Sequence, residues 1–174
     1  TIIWPLHMEP GKKYPVLIYF YEKLTDGLYS YQAPAPTPSR LNITFFVSRR
    51  YVVLAPDIRY ETGHPGKSAY NYIVSGAEAL AKNPWIDKTN MGIQGQSWGG
   101  YQVCYLITAT PLFKGAWAGA PVANMTSAYG GIGMFSRNGT SVSATAETLF
   151  CTHSRNCRAA DIVVIGGGGV GLGS

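Results

Sequence analysis

Short apolar runs alternate with helical patterns along the chain, and this alternation is the strongest constraint on its fold. Runs rich in Val, Ile, Leu and aromatic residues predict strands at residues 14–21, 51–55, 90–94 and 115–119. The intervening patterns predict a short helix at 41–48, a second from Ser68 as N-cap to before Pro84, and a third at 101–109. Because strands that alternate with helices pair in parallel, we expect an α/β fold, with a mostly parallel sheet flanked by helices.

The composition excludes several classes of protein. Of the 174 residues, 46% are hydrophobic and only 13% are charged, against a usual charged share of about 25%, so the chain is not intrinsically disordered. The net charge of +5 comes from scattered residues without a Lys/Arg run, so we expect no nucleic-acid partner. No stretch approaches about 18 uninterrupted apolar residues, so we expect no membrane span.

The cysteines predict neither a disulfide framework nor a metal site. Cys104 stands apart from Cys151 and Cys157, and three unevenly spaced cysteines are too few for a framework. Cys151 and His153 lie close together, but no second pair stands at zinc-site spacing. We therefore predict no metal.

A change in composition near Ile132 predicts a boundary. Residues 133–174 contain no Pro, Tyr or Trp and are rich in Ser, Thr and Gly. We assign residues 1–132 to one domain and interpret 133–174 as a divergent tail, poorly ordered or foreign to the rest. The chain starts without Met and stops shortly after the β-like run 161–165, so we interpret it as a fragment.

Residues 95–99 carry the pattern that points to chemistry. They read Gly-Gln-Ser-Trp-Gly and lie between a predicted strand and a predicted helix, the context of a G-x-S-x-G nucleophile elbow. Such a turn needs small residues two positions either side of the serine, because a Cβ there would strike the sheet or the helix. It exposes the Ser97 hydroxyl at the carboxyl edge of the sheet and aims the Trp98 N–H at a developing oxyanion. The alternative is an ordinary strand-to-helix turn.

Residues 95–101 resemble the G-x-S-x-G-G-Y nucleophile motif of the prolyl oligopeptidase family of serine peptidases. The resemblance extends over roughly residues 1–132 and is closest to the bacterial dipeptidyl-aminopeptidase-like branch; it includes residues 12–21, 50–60, 118–122 and 127–131. It implies a partial α/β-hydrolase fold whose C-terminal strands are missing. It also implies hydrolysis of peptide bonds through an acyl-enzyme on Ser97, and a propeller-like domain in the full-length protein.

The resemblance further implies a second oxyanion donor. The family closes the first of these strands with an oxyanion-hole tyrosine, and Tyr21 occupies the matching position. Its hydroxyl and the Trp98 N–H would form a two-donor oxyanion hole. The alternative is that Tyr21 is one of 12 tyrosines in an aromatic core.

A catalytic base and its orienting acid are not assigned. His153 is the only histidine after Ser97, and Glu147 precedes it in the chain order that α/β-hydrolases use. Both fall beyond the family resemblance, whose Asp and His follow later strands. His7 and His64 precede the nucleophile, and His64 is interpreted as a loop residue. We therefore expect the fragment to be inactive by itself.

Two alternatives to a peptidase remain open at this point. An esterase or lipase typically has an H-G-G-G stretch after the first strand, whereas residues 19–22 read Tyr-Phe-Tyr-Glu, which favours the peptidase. A truncated or chimeric chain without catalysis is the other alternative.

The glycines near the end of the chain could indicate a dinucleotide site. Gly166, Gly168 and Gly171 form G-x-G-x-x-G directly after the apolar run. The helix and the acidic residue that should follow such a motif are not in the chain. We interpret the stretch as a Gly-rich tail and predict no cofactor.

Overall fold

The computed structural model describes residues 1–27, 29–35 and 40–122, together with the backbone of a strand at residues 162–165. Within these residues nine helices and strands follow one another, apart from a short 3-10 turn at Thr25–Gly27. They are β1 (Ile2–Ile3), β2 (Tyr14–Tyr19), α1 (Ile43–Ser48), β3 (Val52–Leu54), α2 (Pro65–Ala81), β4 (Ile86–Gln96), α3 (Trp98–Ala109), β5 (Gly115–Gly119) and β6 (Ile162–Ile165).

The strands of the described residues form a single sheet in the order β1-β3-β2-β4-β5-β6. Only β1 runs antiparallel to its neighbour; all other pairs are parallel. The predicted α/β class, with a mostly parallel sheet flanked by helices, is confirmed. Since β2 and β4 are parallel neighbours, their carboxyl ends meet at the same edge of the sheet.

Alternate side chains of the strands pack into two separate hydrophobic layers, one on each face of the sheet. Val16 and Ile18 of β2 belong to the main core, which also contains the buried residues of α2 and α3. Tyr19 instead packs in a smaller cluster with Leu41 and with residues of α1. This division agrees with right-handed crossovers, which place α1 on the opposite face from α2 and α3.

The second helix begins earlier than its apolar periodicity predicts. Its first residue is Pro65, and His64 rather than Ser68 is at the N-cap, without a side-chain cap bond. Pro is well suited to the first helical position because its missing N–H has no intrahelical acceptor there. Ser68 is buried within the helix, where its hydroxyl donates to the His64 carbonyl (2.9 Å) and accepts from the Glu61 N–H (3.0 Å).

The bounds of β4 and the start of α3 also differ from the prediction. β4 extends four residues before and two after the predicted 90–94, and α3 starts at Trp98 rather than at residue 101. The early start of α3 matters because it leaves Ser97 as the single residue between strand and helix.

The apolar run near the end of the chain joins the sheet. β6 pairs in parallel with β5, with Ala116 opposite Ile162 and Gly119 opposite Ile165. Residues 123–161 and 166–174 lie outside the described residues. The boundary near Ile132 and the assignment of 133–174 as a divergent tail remain predictions.

Candidate active site

Ser97 occupies a strained turn between β4 and α3. Its backbone has φ 55° and ψ −109°, in a region that residues other than glycine rarely adopt. The Ser97 N–H donates to the Gly119 carbonyl at the end of β5 (2.7 Å), and its carbonyl accepts from the N–H groups of Tyr101 (3.1 Å) and Val122 (3.3 Å). The hydroxyl does not cap α3. These hydrogen bonds hold Ser97 in a strained backbone conformation that it would otherwise leave.

The glycines around Ser97 are required by contacts between backbones. A Cβ on Gly95 would overlap the backbone of Gly99, and a Cβ on Gly99 would lie 2.5 Å from the Phe20 carbonyl oxygen. A Cβ on Gly100 would lie 2.8 Å from the carbonyl oxygen of Gly119. The Gly residues of the motif therefore bring the end of β2, the turn and the start of α3 into direct contact.

Gly99→Ala is expected to destabilise the fold because its new Cβ meets a backbone carbonyl that cannot move alone. Overpacking of this kind costs about 1–3 kcal/mol, sometimes more. Gly76→Ala is the matched control, since its Cβ would lie 3.4 Å from the Leu54 Cδ2 and alanine favours the interior of α2. Apparent melting temperatures of the two variants provide the measurement. Equal melting temperatures would contradict the close approach of β2 and α3.

Trp98 provides the first N–H of α3. The first turn of a helix leaves its N–H groups without intrahelical acceptors, and the helix dipole places partial positive charge there. The N–H of Trp98 can therefore donate a hydrogen bond to a negative charge that develops on a group attacked by the Ser97 hydroxyl.

Tyr21 and Ser97 line the same cavity. Tyr21 follows the end of β2 by two residues and is 38% exposed. Together with Tyr19 and Gln96, these two residues form part of the wall of a cavity of about 590 Å³. The parallel pairing of β2 with β4 explains why Tyr21 and Ser97 line one cavity. Tyr19 is opposite Gln94, so the two strands end at the same edge of the sheet.

A partly buried polar contact lies behind Tyr21. The Gln102 Nε2 of α3 donates to the Tyr21 carbonyl (2.7 Å) and to the Tyr60 hydroxyl (2.6 Å), and the Tyr60 hydroxyl donates to the same carbonyl (2.7 Å). The Trp98 ring meets the Tyr60 ring edge-on at 5.8 Å and stacks on Tyr101 at 5.2 Å. Sequence reasoning missed Gln102 and Tyr60, although a glutamine in an otherwise apolar helix was a signal.

Partial burial raises the pKa of the Tyr60 phenol. Desolvation raises the pKa of Tyr60 to about 12, against the opposing effect of hydrogen bonds from the Trp98 and Gln102 side chains. A phenol is already protonated near neutral pH, and the raised pKa of Tyr60 extends this state further into alkaline solution, so the hydroxyl can donate its hydrogen to the Tyr21 carbonyl.

Asp57 fixes the loop that follows Tyr21. Its carboxylate accepts from the N–H groups of Leu24 (2.7 Å) and Thr25 (3.0 Å), and from the Thr25 hydroxyl. These hydrogen bonds, with that of the Thr25 hydroxyl the largest cause, hold the pKa of Asp57 below its ordinary value. The loops after β2 and β3 are also joined by the Ile58 N–H, which donates to the Glu22 carbonyl (2.8 Å).

Neither of the two histidines that precede Ser97 lines the cavity of Ser97 and Tyr21. His64 is exposed at the start of α2, and His7 is exposed before β2. Glu147, Cys151, His153, Cys157 and the glycines from Gly166 to Gly171 lie outside the described residues. Within the described ranges there is no group of three potential metal ligands and no helix long and apolar enough to span a bilayer.

The sequence is similar to those of dipeptidyl peptidases. Mouse dipeptidyl peptidase 8 is 32% identical over 131 residues, which are 68% of this chain and 14% of that protein. A probable dipeptidyl-aminopeptidase B of Talaromyces marneffei is 31% identical over 113 residues, 56% of this chain and 12% of that protein. The chain thus spans only 12–14% of the length of these relatives.

Solved structures show the same fold, and a family model matches the region of the site. A putative dipeptidyl aminopeptidase IV from Bacteroides ovatus aligns with a TM-score of 0.56 at 26% identity, covering 71% of this chain and 19% of that one. Pyrococcus horikoshii acylaminoacyl peptidase aligns with a TM-score of 0.57 at 20% identity, covering 74% and 22%. Residues 37–145, which include the Ser97 turn, match the model described as the prolyl oligopeptidase family. This chain belongs to the prolyl oligopeptidase family.

Proposed function

We propose that this chain carries the nucleophile of a serine peptidase, which hydrolyses peptide bonds through an acyl-enzyme on Ser97. The observation that carries the proposal is the backbone of Ser97, held at positive φ between β4 and α3 beside the first amide of the helix. A serine in such a turn projects at the carboxyl edge of a parallel sheet, where substrates bind in α/β proteins. Membership of the family and the peptidase names of the relatives support the same chemistry.

In the proposed reaction, the Ser97 oxygen bonds to the scissile carbonyl carbon while its proton passes to a general base. The carbonyl oxygen becomes an oxyanion, which collapses as the amine leaves with a proton returned from the base. Water then hydrolyses the acyl-enzyme by the same steps. We assign no base and no orienting acid, because Glu147 and His153 lie outside the described residues.

The oxyanion is proposed to lie between the Trp98 N–H and the Tyr21 hydroxyl. Two donors from different elements suit acyl transfer, because the negative charge exists only in the transition state and the intermediate. The shared cavity of Tyr21 and Ser97 supports this assignment.

The proposed partners follow from the family. A peptide is the substrate, and a propeller-like domain that screens substrates is expected in the protein at its full encoded length. No nucleic acid, membrane span, metal or cofactor is part of the proposal.

A substrate panel separates a peptidase from an esterase. The full-length protein is offered dipeptide anilides, whose scissile bond is an amide, and short-chain nitrophenyl esters. We expect turnover of the anilides that is lost in Ser97→Ala, because an amine is a poor leaving group that needs the complete acyl-transfer site. Turnover of esters alone would support the esterase alternative, and no turnover of either would support a chain without catalysis.

A further inference from the structure

We propose that Gln102 and Tyr60 are positioning residues that fix Tyr21 for the oxyanion hole, an assignment that rests on the function proposed above. The two side chains converge on the Tyr21 backbone carbonyl, with Gln102 Nε2 at 2.7 Å and the Tyr60 hydroxyl at 2.7 Å. A third bond joins Gln102 to Tyr60 at 2.6 Å. This closed triangle of hydrogen bonds is called the Gln102–Tyr60 clamp below.

The clamp has only one consistent arrangement of hydrogens. The Tyr21 carbonyl can only accept, so the Gln102 amide must present its nitrogen and not its oxygen. The single hydrogen of the Tyr60 hydroxyl also goes to that carbonyl, so its oxygen accepts the second hydrogen of Nε2. Every amide hydrogen of Gln102 and the hydroxyl hydrogen of Tyr60 then has an acceptor, and the carbonyl of Tyr21 accepts from both side chains.

Packing alone does not explain a glutamine at this place. The Gln102 side chain is 0% exposed and lies in a helix whose other buried side chains are apolar. Its Oε1 is buried and has no hydrogen-bond partner within the described residues. An apolar side chain of similar size would avoid that unpaired oxygen. What the glutamine adds is the pair of bonds from Nε2.

The clamp joins the elements that carry the two proposed oxyanion donors. Gln102 lies one turn after Trp98 on α3, whereas Tyr21 follows β2. The Tyr60 ring contacts the Trp98 ring at 5.8 Å, so both members of the clamp connect the strand end to the start of the helix. Fixing the Tyr21 backbone limits where its hydroxyl can lie relative to the Trp98 N–H, and two donors must converge on one oxygen at hydrogen-bond distance.

A double-substitution cycle in the full-length protein tests the clamp. Tyr21→Phe is expected to lower kcat on a dipeptide anilide by about 10²–10³-fold, the usual effect of removing one oxyanion donor. Gln102→Met keeps the size of the side chain but removes the donors, and it is expected to lower kcat roughly tenfold with little change in KM. In the Tyr21→Phe background, Gln102→Met should cause no further loss, because the group that it positions is already absent.

Two further variants keep the test decisive. Tyr60→Phe removes the other half of the clamp and should show the same dependence on Tyr21, which also covers the case in which Gln102→Met does not fold. Val103→Ala, at the neighbouring 0% exposed position of α3, should lower the melting temperature and leave kcat unchanged.

The outcomes separate this proposal from the function on which it rests. Losses from Gln102→Met and Tyr21→Phe that multiply in the double variant would overturn the clamp and leave the proposed nucleophile intact. If Tyr21→Phe had no effect on kcat, the oxyanion assignment and the clamp would both be wrong. Absence of any effect of Ser97→Ala would overturn the proposed function itself.

Discussion

Ser97→Ala in the full-length protein is expected to abolish hydrolysis of dipeptide anilides and labelling by a fluorophosphonate probe. The alanine has no oxygen to form the acyl-enzyme, and removal of the nucleophile from such a site lowers kcat by on the order of 10⁶-fold. Turnover and probe incorporation are measured on the same preparation, and mass spectrometry of the labelled protein locates the adduct.

Ser75→Ala is the matched control for this experiment. Ser75 is exposed on α2, where its hydroxyl donates to the Asn71 and Tyr72 carbonyls of its own helix. The variant should label and turn over substrate as the unsubstituted protein does. An adduct on another serine, or hydrolysis that survives in Ser97→Ala, would place the nucleophile elsewhere.

The alternation of strands and helices predicted the layers of the fold because it depends on burial. The run 14–21 is continuous and apolar because β2 packs on one face of the sheet against the core with α2 and α3, and on the other face against α1. The start of α2 was placed too late because the first turn contains Pro65 and Gly66, which carry no apolar periodicity. Gly66 nevertheless has a packing role, because a Cβ there would lie 2.6 Å from the Tyr105 ring of α3 and would force the ring to shift.

The turn at Ser97 was predictable from the sequence, whereas the side-chain contacts behind Tyr21 were not. The turn depends on local sterics. Backbone contacts at three positions near Ser97 leave no room for a Cβ, so the sequence has glycine at each of them. The contact of Gln102 with Tyr21 joins positions 81 residues apart and follows no spacing rule. Asp57 and Leu24, which are 33 residues apart, are joined in the same way. Such pairs become neighbours only through the order of strands in the sheet.

The 174-residue chain by itself is expected to show negligible peptidase turnover and negligible labelling at Ser97, whereas the full-length protein labels readily. A serine hydroxyl without a base is a poor nucleophile near neutral pH, and a site that lacks a triad member retains only about 10³–10⁴-fold catalysis over water. His64 is the N-cap of α2 and His7 precedes β2, and the described backbone bonds that hold the Ser97 turn involve neither residue. Labelling is compared at equal concentrations of soluble chain and full-length protein.

His153 provides the one route by which this expectation could be wrong. If the chain does label at Ser97, the effects of His153→Ala and His64→Ala identify the base, because only the residue that takes the Ser97 proton is needed for attack on the probe. Labelling that His153→Ala removes and His64→Ala preserves would make His153 the base, with Glu147 as the candidate for its orienting acid. The residues after Ile132 would then belong to the active site, and the predicted boundary there would divide a single catalytic unit.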